Sequence, residues 1–186
     1  MNTDLEIIER CKQGNKRAQK QLYKQYAAAM FAICMRYASS KVEAEDILQE
    51  GFMKVFANIN AYEEKGMFES WLKRIFINTA ITVYHKNRKY RFHIDIDEAQ
   101  DYLMPTTERE TNTLTQEELL KIINSLPDGY RMVFNLFAIE GLKHKEIAEL
   151  MSIDENTSKS QYSRARKIIQ KKIIGIDKEM EARIVS

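Results

Sequence analysis

The sequence of 186 residues is poor in glycine, proline and cysteine, and each scarcity excludes a class of structure. It contains six glycines and two prolines, and its apolar residues recur with a period near 3.6 without sustained alternation. We therefore predict an all-α fold. The two cysteines, Cys11 and Cys34, fall in helical segments without CxxC spacing or a nearby histidine cluster. Neither a disulfide framework nor a metal site is expected.

Long apolar runs are also missing. The N-terminal stretch MNTDLEIIERCKQGN lacks the apolar core of a signal peptide, and no segment approaches the length needed to cross a membrane, so we expect a cytoplasmic protein. The sequence shows no nucleophile–base pair, P-loop or metal-ligand spacing. We therefore expect no enzyme, no catalytic residues, no cofactor and no small-molecule substrate.

Charge is small in total but unevenly distributed. The net charge is +2. One basic block lies within residues 73–91 and another within residues 159–172, whereas Arg109 is the only basic residue from 94 to 118. The pattern predicts two positively charged surfaces separated by an acidic connector.

The connector divides the chain into two predicted domains. It contains Pro105, lacks a long apolar stripe and differs in charge sign from both flanks. We interpret residues 93–113 as a flexible acidic linker between small helical domains at residues 1–92 and 114–186. An acidic surface loop within one domain is the alternative. The predicted helices cover residues 3–11, 16–37, 41–59, 69–88, 116–125, 128–139, 143–151 and 155–174.

Residues 141–172 have the pattern of a helix-turn-helix, with a short helix, a polar turn and a longer helix. At about 100° per residue, the second helix gathers one packing stripe. The stripe consists of Ser158, Tyr162, Ala165, Ile169 and Ile173. The other side can meet phosphates and base edges, and its candidate DNA-binding residues are Asn156, Thr157, Lys159, Ser160, Ser163, Arg164 and Lys167. An ordinary solvated charged face is the alternative.

Two helices of the first domain carry further candidate surfaces. The segment VEAEDILQEGFMKVF sets an acidic and amide-bearing face, which includes Asp46, Gln49 and Glu50, against an apolar face. The apolar face is predicted from Val42, Ile47, Leu48, Phe52, Val55 and Phe56. Here too a merely solvated polar face is the alternative.

The next helix, FESWLKRIFINTAITVYHKNRKYR, mixes aromatic and cationic residues. Such mixing suits unpaired nucleic acid, because bases stack on rings while cations follow phosphates. For any single ring, however, a place in the core is the better prediction. The candidates for strand capture are Phe68, Trp71, Arg74, His85, Lys86 and Arg88.

These motifs occur in a familiar order. The chain contains, in order, the acidic EAEDILQEGFMKVF, a polar loop, FESWLKRIFINTAI with its basic run, a linker, and LPDGYRMVFNLFAIEGLKHKEIAELMSIDENTSKSQYSRARKII. Together these segments resemble the extracytoplasmic-function class of bacterial sigma factors. The resemblance covers about residues 22–173. It implies two helical domains and a dissociable subunit that gives RNA polymerase its promoter specificity.

Carried over position by position, the resemblance assigns roles to the candidates. The helix with Asp46, Gln49 and Glu50 would dock on the clamp coiled coil of the large polymerase subunit. Residues 60–78 and the basic residues that follow would open the minus-10 element and hold its non-template strand, with the loop 60–66 capturing a flipped base. Trp71 and Asn78 match the family's FxxWLxxIxxN pattern, which adds Asn78 to the strand-capture set. The recognition-helix residues would meet the minus-35 element.

The implied partners are core RNA polymerase and promoter DNA, both duplex and single-stranded. An anti-sigma factor is also implied, because members of the class are often sequestered by one. Five positions depart from the usual pattern: Thr82, His85, Ser152, Asn156 and Ser158. Ser158 stands where a small aliphatic residue is usual, so we expect less apolar burial under the recognition helix.

Two other functions are compatible with the residues. A two-domain transcriptional regulator that binds duplex DNA as a dimer would share the helix-turn-helix, but it would need a dimer interface or a ligand pocket. A protein-interaction module could use the basic faces for acidic partners. Binding to core polymerase separates both from the sigma-factor hypothesis.

Overall fold

A computed structural model of the chain describes residues 3–63, 65–91 and 115–184. The first half contains α1 (Thr3–Lys12), α2 (Lys16–Tyr37), α3 (Lys41–Asn58), a 3-10 turn (Ile59–Ala61) and α4 (Phe68–Arg91). The second contains α5 (Gln116–Asn124), α6 (Asp128–Phe134), a π-helical turn (Asn135–Ile139), α7 (His144–Met151) and α8 (Glu155–Ile184). No strand occurs in these residues, and the all-α prediction is confirmed. The predicted linker, residues 93–113, lies outside the described residues.

Three helices begin directly after a polar residue whose side chain caps their first turn. The side chain of Asn15 accepts hydrogen bonds from the backbone N–H groups of Arg17 and Ala18, and Ser40 accepts one from Glu43. Thr115 and Glu118 form a reciprocal capping box before α5. Each cap satisfies amide groups that have no partner within the helix, which is why these helices begin where they do.

The predicted helix over residues 128–139 has the predicted extent, but its second half is π-helical. The α-helix ends at Phe134, and the chain continues as a π-helical turn in which the N–H of Glu140 bonds to the carbonyl of Asn135 at 3.0 Å. The amide of Asn135 itself donates to the carbonyl of Arg131 at 2.9 Å. A side chain that enters the helical ladder in this way favours a local change of helix type.

The core of the first half forms where α4 packs against α2 and α3. Leu72 and Phe76 of α4 are fully buried. Gly51 of α3 permits the close approach, because a Cβ atom there would overlap the ring of Phe76. This packing brings the side chains of α3 and α4 to the two sides of one groove.

The second half packs on the first. Ile122, Leu126, Ala165 and Ile169 form a small core of their own. Leu136, Ile147 and Met151, in contrast, belong to the same buried apolar cluster as the residues of α1–α4. The two predicted domains are therefore in contact, through α2 against α5 and α6 and through α4 against α7.

Candidate protein-binding and nucleic-acid-binding surfaces

The outer face of α3 is acidic and open. Asp46 and Gln49 are exposed, and Glu50 is half-buried, with its carboxylate 2.7 Å from Nζ of Lys54. The opposite side of the helix, with Ala44, Ile47 and Val55, is buried. The three predicted polymerase-docking residues are thus accessible together.

Two apolar side chains share this face. Val42 is 66% exposed and Met53 is 71% exposed. Residues 42, 46, 49 and 53 are spaced to lie along one side of a helix, so the polar residues Asp46 and Gln49 are flanked by apolar ones at both ends. The prediction that Val42 packs in the core is wrong, because the buried stripe begins at Ala44 instead. Met53 was not predicted, although its spacing from Gln49 is the signal that indicates it.

A groove between α3 and α4 brings candidate strand-capture residues together. It encloses about 260 Å³ and is lined by Lys54, Asn58, Ala61, Trp71, Ile75, Asn78, Thr79 and Thr82. The half-buried indole of Trp71 offers a ring for stacking, and the ammonium group of Lys54 and the exposed amide of Asn78 offer hydrogen bonds. A ring beside polar groups can hold an unstacked base. Lys54 and Asn58 were not predicted for this role.

The two threonine hydroxyl groups in this groove are bonded to backbone carbonyl groups of α4 itself. Thr79 donates to the carbonyl of Ile75 and Thr82 to that of Asn78, each at 2.8 Å. Thr82 is one of the departures from the family pattern, and its hydroxyl is held on its own helix. The groove therefore carries no carboxylate at this position that would repel a phosphate.

Phe68 is placed differently from its prediction. It is 6% exposed, and its ring packs 5.5 Å from that of Trp71 and 5.0 Å from that of Tyr62. The hydroxyl of Tyr62 donates to the carbonyl of Gly66 at 2.6 Å and closes the loop before α4. Phe68 therefore supports Trp71 from within the core, and its ring has no open face for a base.

The basic residues of α4 lie in three environments. Arg74 and Lys86 are exposed. His85 is half-buried, and its Nε2 lies 3.1 Å from the carbonyl oxygen of Leu150 at the end of α7. The side chain of Arg88 lies outside what the structure describes. Arg74 lies in the part of α4 that forms one side of the groove, whereas His85, further along the same helix, faces the second half of the chain.

The helix-turn-helix is formed as the sequence predicts. Ser152 turns the chain in the left-handed conformation, with φ of +51°, and the N–H of Ile153 bonds to the carbonyl of Ala148 at 3.0 Å. The predicted packing stripe of α8 is confirmed, because Ser158, Ala165 and Ile169 are buried and Tyr162 and Ile173 are half-buried. The opposite side of α8 is consequently left to solvent.

The predicted DNA-binding residues lie on that solvent side. Thr157 is half-buried, and the exposed residues are Asn156, Lys159, Ser160, Ser163, Arg164 and Lys167. Lys159 lies 2.6 Å from the carboxylate of Glu155 and, by this hydrogen bond and its charge, lowers the pKa of that carboxyl. Nη1 of Arg164 donates to the hydroxyl of Tyr130 at 3.3 Å. The face offers amide, hydroxyl and cationic groups to a DNA groove.

Ser158 lies beneath this face and forms a hydrogen bond with His144. Its hydroxyl lies 3.0 Å from Nδ1 of His144, the first residue of α7, and the imidazole stacks on Phe137 at 4.3 Å. Burial, together with the charge of Lys159, lowers the pKa of His144. Ser158 contributes little apolar area, as expected, but a hydrogen bond between the two helices of the motif takes its place.

The described residues form neither a membrane-spanning helix nor a metal-binding cluster. None of their helices combines the length and apolarity needed to span a membrane. They also contain no group of three or more histidine, cysteine, aspartate or glutamate side chains arranged to bind a metal ion.

Two family models match the two halves of the chain. The model described as Sigma-70 region 2 matches residues 22–90, and the model described as Sigma-70, region 4 matches residues 116–169. The first match contains α3 and α4 with their groove. The second contains the helix-turn-helix.

Curated proteins match over nearly the whole length. The ECF RNA polymerase sigma-E factor of Haemophilus influenzae is 32% identical over 181 residues, which are 92% of this chain and 95% of that protein. The ECF RNA polymerase sigma-E factor of Escherichia coli (strain K12) is 30% identical, covering 92% and 94%. Among solved structures, the sigma factor RpoE in complex with the anti-sigma factor NepR from Bartonella quintana has a similar fold. Its TM-score is 0.50 at 23% identity, over 85% of this chain and 97% of that one.

Proposed function

Since this chain belongs to the extracytoplasmic-function class of the sigma-70 family of RNA polymerase sigma factors, we propose that its two helical domains divide the recognition of one promoter. Proteins of this class bind core RNA polymerase and direct promoter-specific transcription initiation, and this chain does the same. Residues 1–92 dock on the polymerase and handle the minus-10 element, and residues 114–186 read the minus-35 element.

The outer face of α3 is the polymerase-docking surface. The exposure of Asp46 and Gln49 between two exposed apolar residues, Val42 and Met53, supports this role. Apolar side chains provide affinity when they leave water, and the carboxylates select a basic partner and speed the encounter. This combination is typical of a helix that binds another protein.

The α3–α4 groove captures an unstacked base of the minus-10 element. Unstacking costs a few kcal/mol per step, and stacking of a base on an aromatic side chain recovers about 1–3 kcal/mol. Trp71 therefore offsets much of the cost for one base, and Lys54 and Asn78 add polar contacts to it. Arg74 and Lys86 neutralise phosphates of the same strand.

The exposed side of α8 reads the minus-35 element in the major groove. Asn156, Ser160 and Arg164 can bond base edges there, whereas Lys159 and Lys167 serve the phosphates. The surfaces act without chemistry of their own, so the chain is a binding subunit rather than an enzyme. It works where the polymerase meets DNA, in the cytoplasm.

An anti-sigma factor is a further proposed partner. The sigma factor RpoE from Bartonella quintana, which has a similar fold, is in complex with the anti-sigma factor NepR. A protein that covers the α3 face or the groove would keep this chain from the polymerase. Such a partner would compete directly with core polymerase.

The observation that carries the proposal is the presence, in one chain, of the α3 face, the α3–α4 groove and the exposed α8 face. The test is run-off transcription with purified chain and core polymerase on DNA fragments selected for binding to the reconstituted complex. We expect core-dependent transcripts that begin at one site. The double variant D46K/E50K should lower affinity for core at least tenfold.

The matched control is E6K/E9K, which makes the same charge change on exposed residues of α1. It should bind core as the unaltered chain does. Tight binding to free palindromic DNA without any binding to core polymerase would instead favour a dimeric regulator.

A further inference from the structure

Tyr130 of α6 connects the small core of the second half with the exposed side of α8. It is half-buried, and its hydroxyl accepts a hydrogen bond from Nη1 of Arg164 at 3.3 Å. Its ring packs against the buried side chains of Ile122, Leu126, Ala165 and Ile169. Tyr130 therefore has an apolar end in the core and a polar end beside a proposed DNA-binding residue.

The packing of α6 against α8 fixes both partners of this hydrogen bond. A Cβ atom on Gly129, the residue before Tyr130, would lie only 3.3 Å from Nε2 of Gln161, so the two helices approach closely here. Ala165, the residue after Arg164, is fully buried. The ring of Tyr130 and the backbone of Arg164 are thus held in place, and the guanidinium group is the part that still has to be oriented.

An arginine side chain gains from being oriented before it meets its ligand. It is long, and it loses much rotamer freedom when it is immobilised. A hydrogen bond to a hydroxyl that the core already holds removes part of this cost before DNA arrives. The guanidinium group has five N–H donors, which is more than a bidentate contact with a base and the bond to Tyr130 together require.

Orientation also determines what Arg164 recognises. It is exposed, and it lies one helical turn from Ser160 and from Lys167 on the side of α8 proposed to face the major groove. The most common specific contact of arginine is a bidentate one with O6 and N7 of guanine. The same cation can instead bind a phosphate, which carries no sequence information. Holding the guanidinium group in one orientation favours the base over the phosphate.

Core packing alone does not account for the hydroxyl of Tyr130. A phenylalanine ring would fill the same space among the apolar side chains. The hydrogen bond to Arg164 lies in an exposed position, where water can satisfy a hydroxyl as well. The role of this hydroxyl is therefore to be sought in Arg164 rather than in the fold.

We propose that Tyr130 is a positioning residue for promoter recognition, whose hydroxyl holds Arg164 in the orientation that reads a guanine of the minus-35 element. This inference rests on the role proposed above for the exposed side of α8. Tyr130 acts through Arg164 and does not itself contact a base. Loss of its hydroxyl should reduce discrimination at one base pair without reducing the general affinity for DNA.

The experiment compares base discrimination in the complex of full-length chain and core polymerase. The probes are the duplex selected for binding to that complex and copies of it in which each base pair of the minus-35 element is changed singly. In the unaltered complex, one guanine should give a large penalty when it is replaced. In Tyr130→Phe that penalty should shrink about fivefold, the size expected for the loss of one hydrogen bond. The other penalties, the affinity for unrelated DNA and its salt dependence should stay the same.

A double-mutant cycle shows whether the hydroxyl acts through Arg164. Arg164→Ala should abolish the penalty at the same guanine, and adding Tyr130→Phe to it should change nothing further, because no guanidinium group is left to orient. The matched control is Tyr23→Phe on α2, which removes a hydroxyl from a ring that packs on Phe52 in the first half. It should keep the whole profile of penalties. Circular dichroism checks that each variant is folded.

Three results would overturn the inference. The first is an equal guanine penalty in Tyr130→Phe and the unaltered chain, and the second is an equal loss of affinity for all duplexes, which would indicate a purely structural role. The third is an undiminished effect of Tyr130→Phe in the Arg164→Ala background, which would show that Tyr130 meets DNA itself.

Run-off transcripts from the same samples test the proposed function separately. Core-dependent transcripts together with any of these three results keep that function and refute the role of Tyr130. A chain that never binds polymerase refutes both.

Discussion

Ser152 holds a left-handed backbone conformation, with φ of +51°, at the turn between α7 and α8. For a residue with a Cβ atom this conformation costs about 1–2 kcal/mol. Glycine adopts it without that cost, although glycine also gains freedom in the unfolded chain. The backbone of this turn is thus strained at a single residue, and glycine at that position would remove the strain.

We predict that Ser152→Gly raises the free energy of unfolding by about 0.5–1 kcal/mol, measured by urea denaturation. The matched control is Ser163→Gly in the middle of α8, an exposed helical position where the same exchange should lower it by about 0.5 kcal/mol. Destabilisation by both substitutions would show that Ser152 is not strained.

His144 couples the two helices of the motif through Ser158, and it makes this contact in a pH-sensitive way. Burial lowers its pKa below the ordinary value of 6.5, and Lys159 adds to the effect, while Glu155 opposes it. The unfolded chain therefore takes up the proton first as the pH falls. Stability contributed by neutral His144 is complete above about pH 6.5 and is lost as the pH drops toward the lower folded value.

We predict that the unaltered chain loses more stability between pH 7.5 and pH 5.5 than the variant His144→Gln, whose amide can bond Ser158 but does not titrate. Urea denaturation at the two pH values measures both. His85 and His93 are present in both proteins, so the difference isolates His144. An equal loss in both proteins would contradict the assignment.

At the scale of elements, α8 carries two kinds of side chain along its length. Small and hydroxyl-bearing side chains cluster in its first turns, and cations follow toward the C-terminal end. Because base edges are read by short side chains close to the groove while cations reach the backbone, we expect the two ends to have different tasks. Substitutions at the two ends should therefore differ in their salt response.

We predict that Lys167→Ala weakens binding to all duplex sequences and reduces the slope of log affinity against log salt by about 1. Arg164→Ala should instead weaken the preferred minus-35 sequence by about 1–3 kcal/mol relative to unrelated DNA. Filter binding or fluorescence anisotropy over a salt series measures both, and core binding should stay intact. If Arg164→Ala weakened binding to all DNA sequences equally, the proposal that Arg164 contacts base edges would be contradicted.

At the scale of the whole molecule, one buried apolar cluster includes residues from both halves. Elements that share a core unfold together, whereas separate domains unfold independently. The ion pair between Arg36 of α2 and Glu140, which follows the π-helical turn, adds a polar contact to this shared core.

We predict that the full chain unfolds in calorimetry as one transition, with a calorimetric to van't Hoff enthalpy ratio near 1. In Arg36→Glu the transition temperature should fall while the ratio stays near 1, because the shared apolar cluster still couples the two halves. Glu9→Lys, which breaks an ion pair within α1, is the control and should leave the transition temperature nearly unchanged. Two transitions in the unaltered chain would show that the halves are independent in solution.

The local pattern of apolar and polar residues was sufficient to predict the helices and the exposed side of α8. Helix ends were predicted within one or two residues where a capping residue marks them, as before α2 and α3. The α8 stripe was predicted correctly because its apolar and polar sides differ clearly from Ser158 to Ile173, over about four turns. On α3 the assignment of Val42 to the core was wrong, because a first-turn apolar residue fits either side of the pattern.

Sequence by itself determined the helical class, the uneven charge and the order of motifs that identifies a sigma factor, since these depend on periodicity, composition and spacing. Tertiary structure decided what lies between helices: the α3–α4 groove, the burial of Phe68, the pairing of Ser158 with His144, and the ion pair of Arg36 with Glu140. Arg36 and Glu140 are more than a hundred residues apart, and no periodic pattern links such positions. Only the packing of the helices brings them into contact.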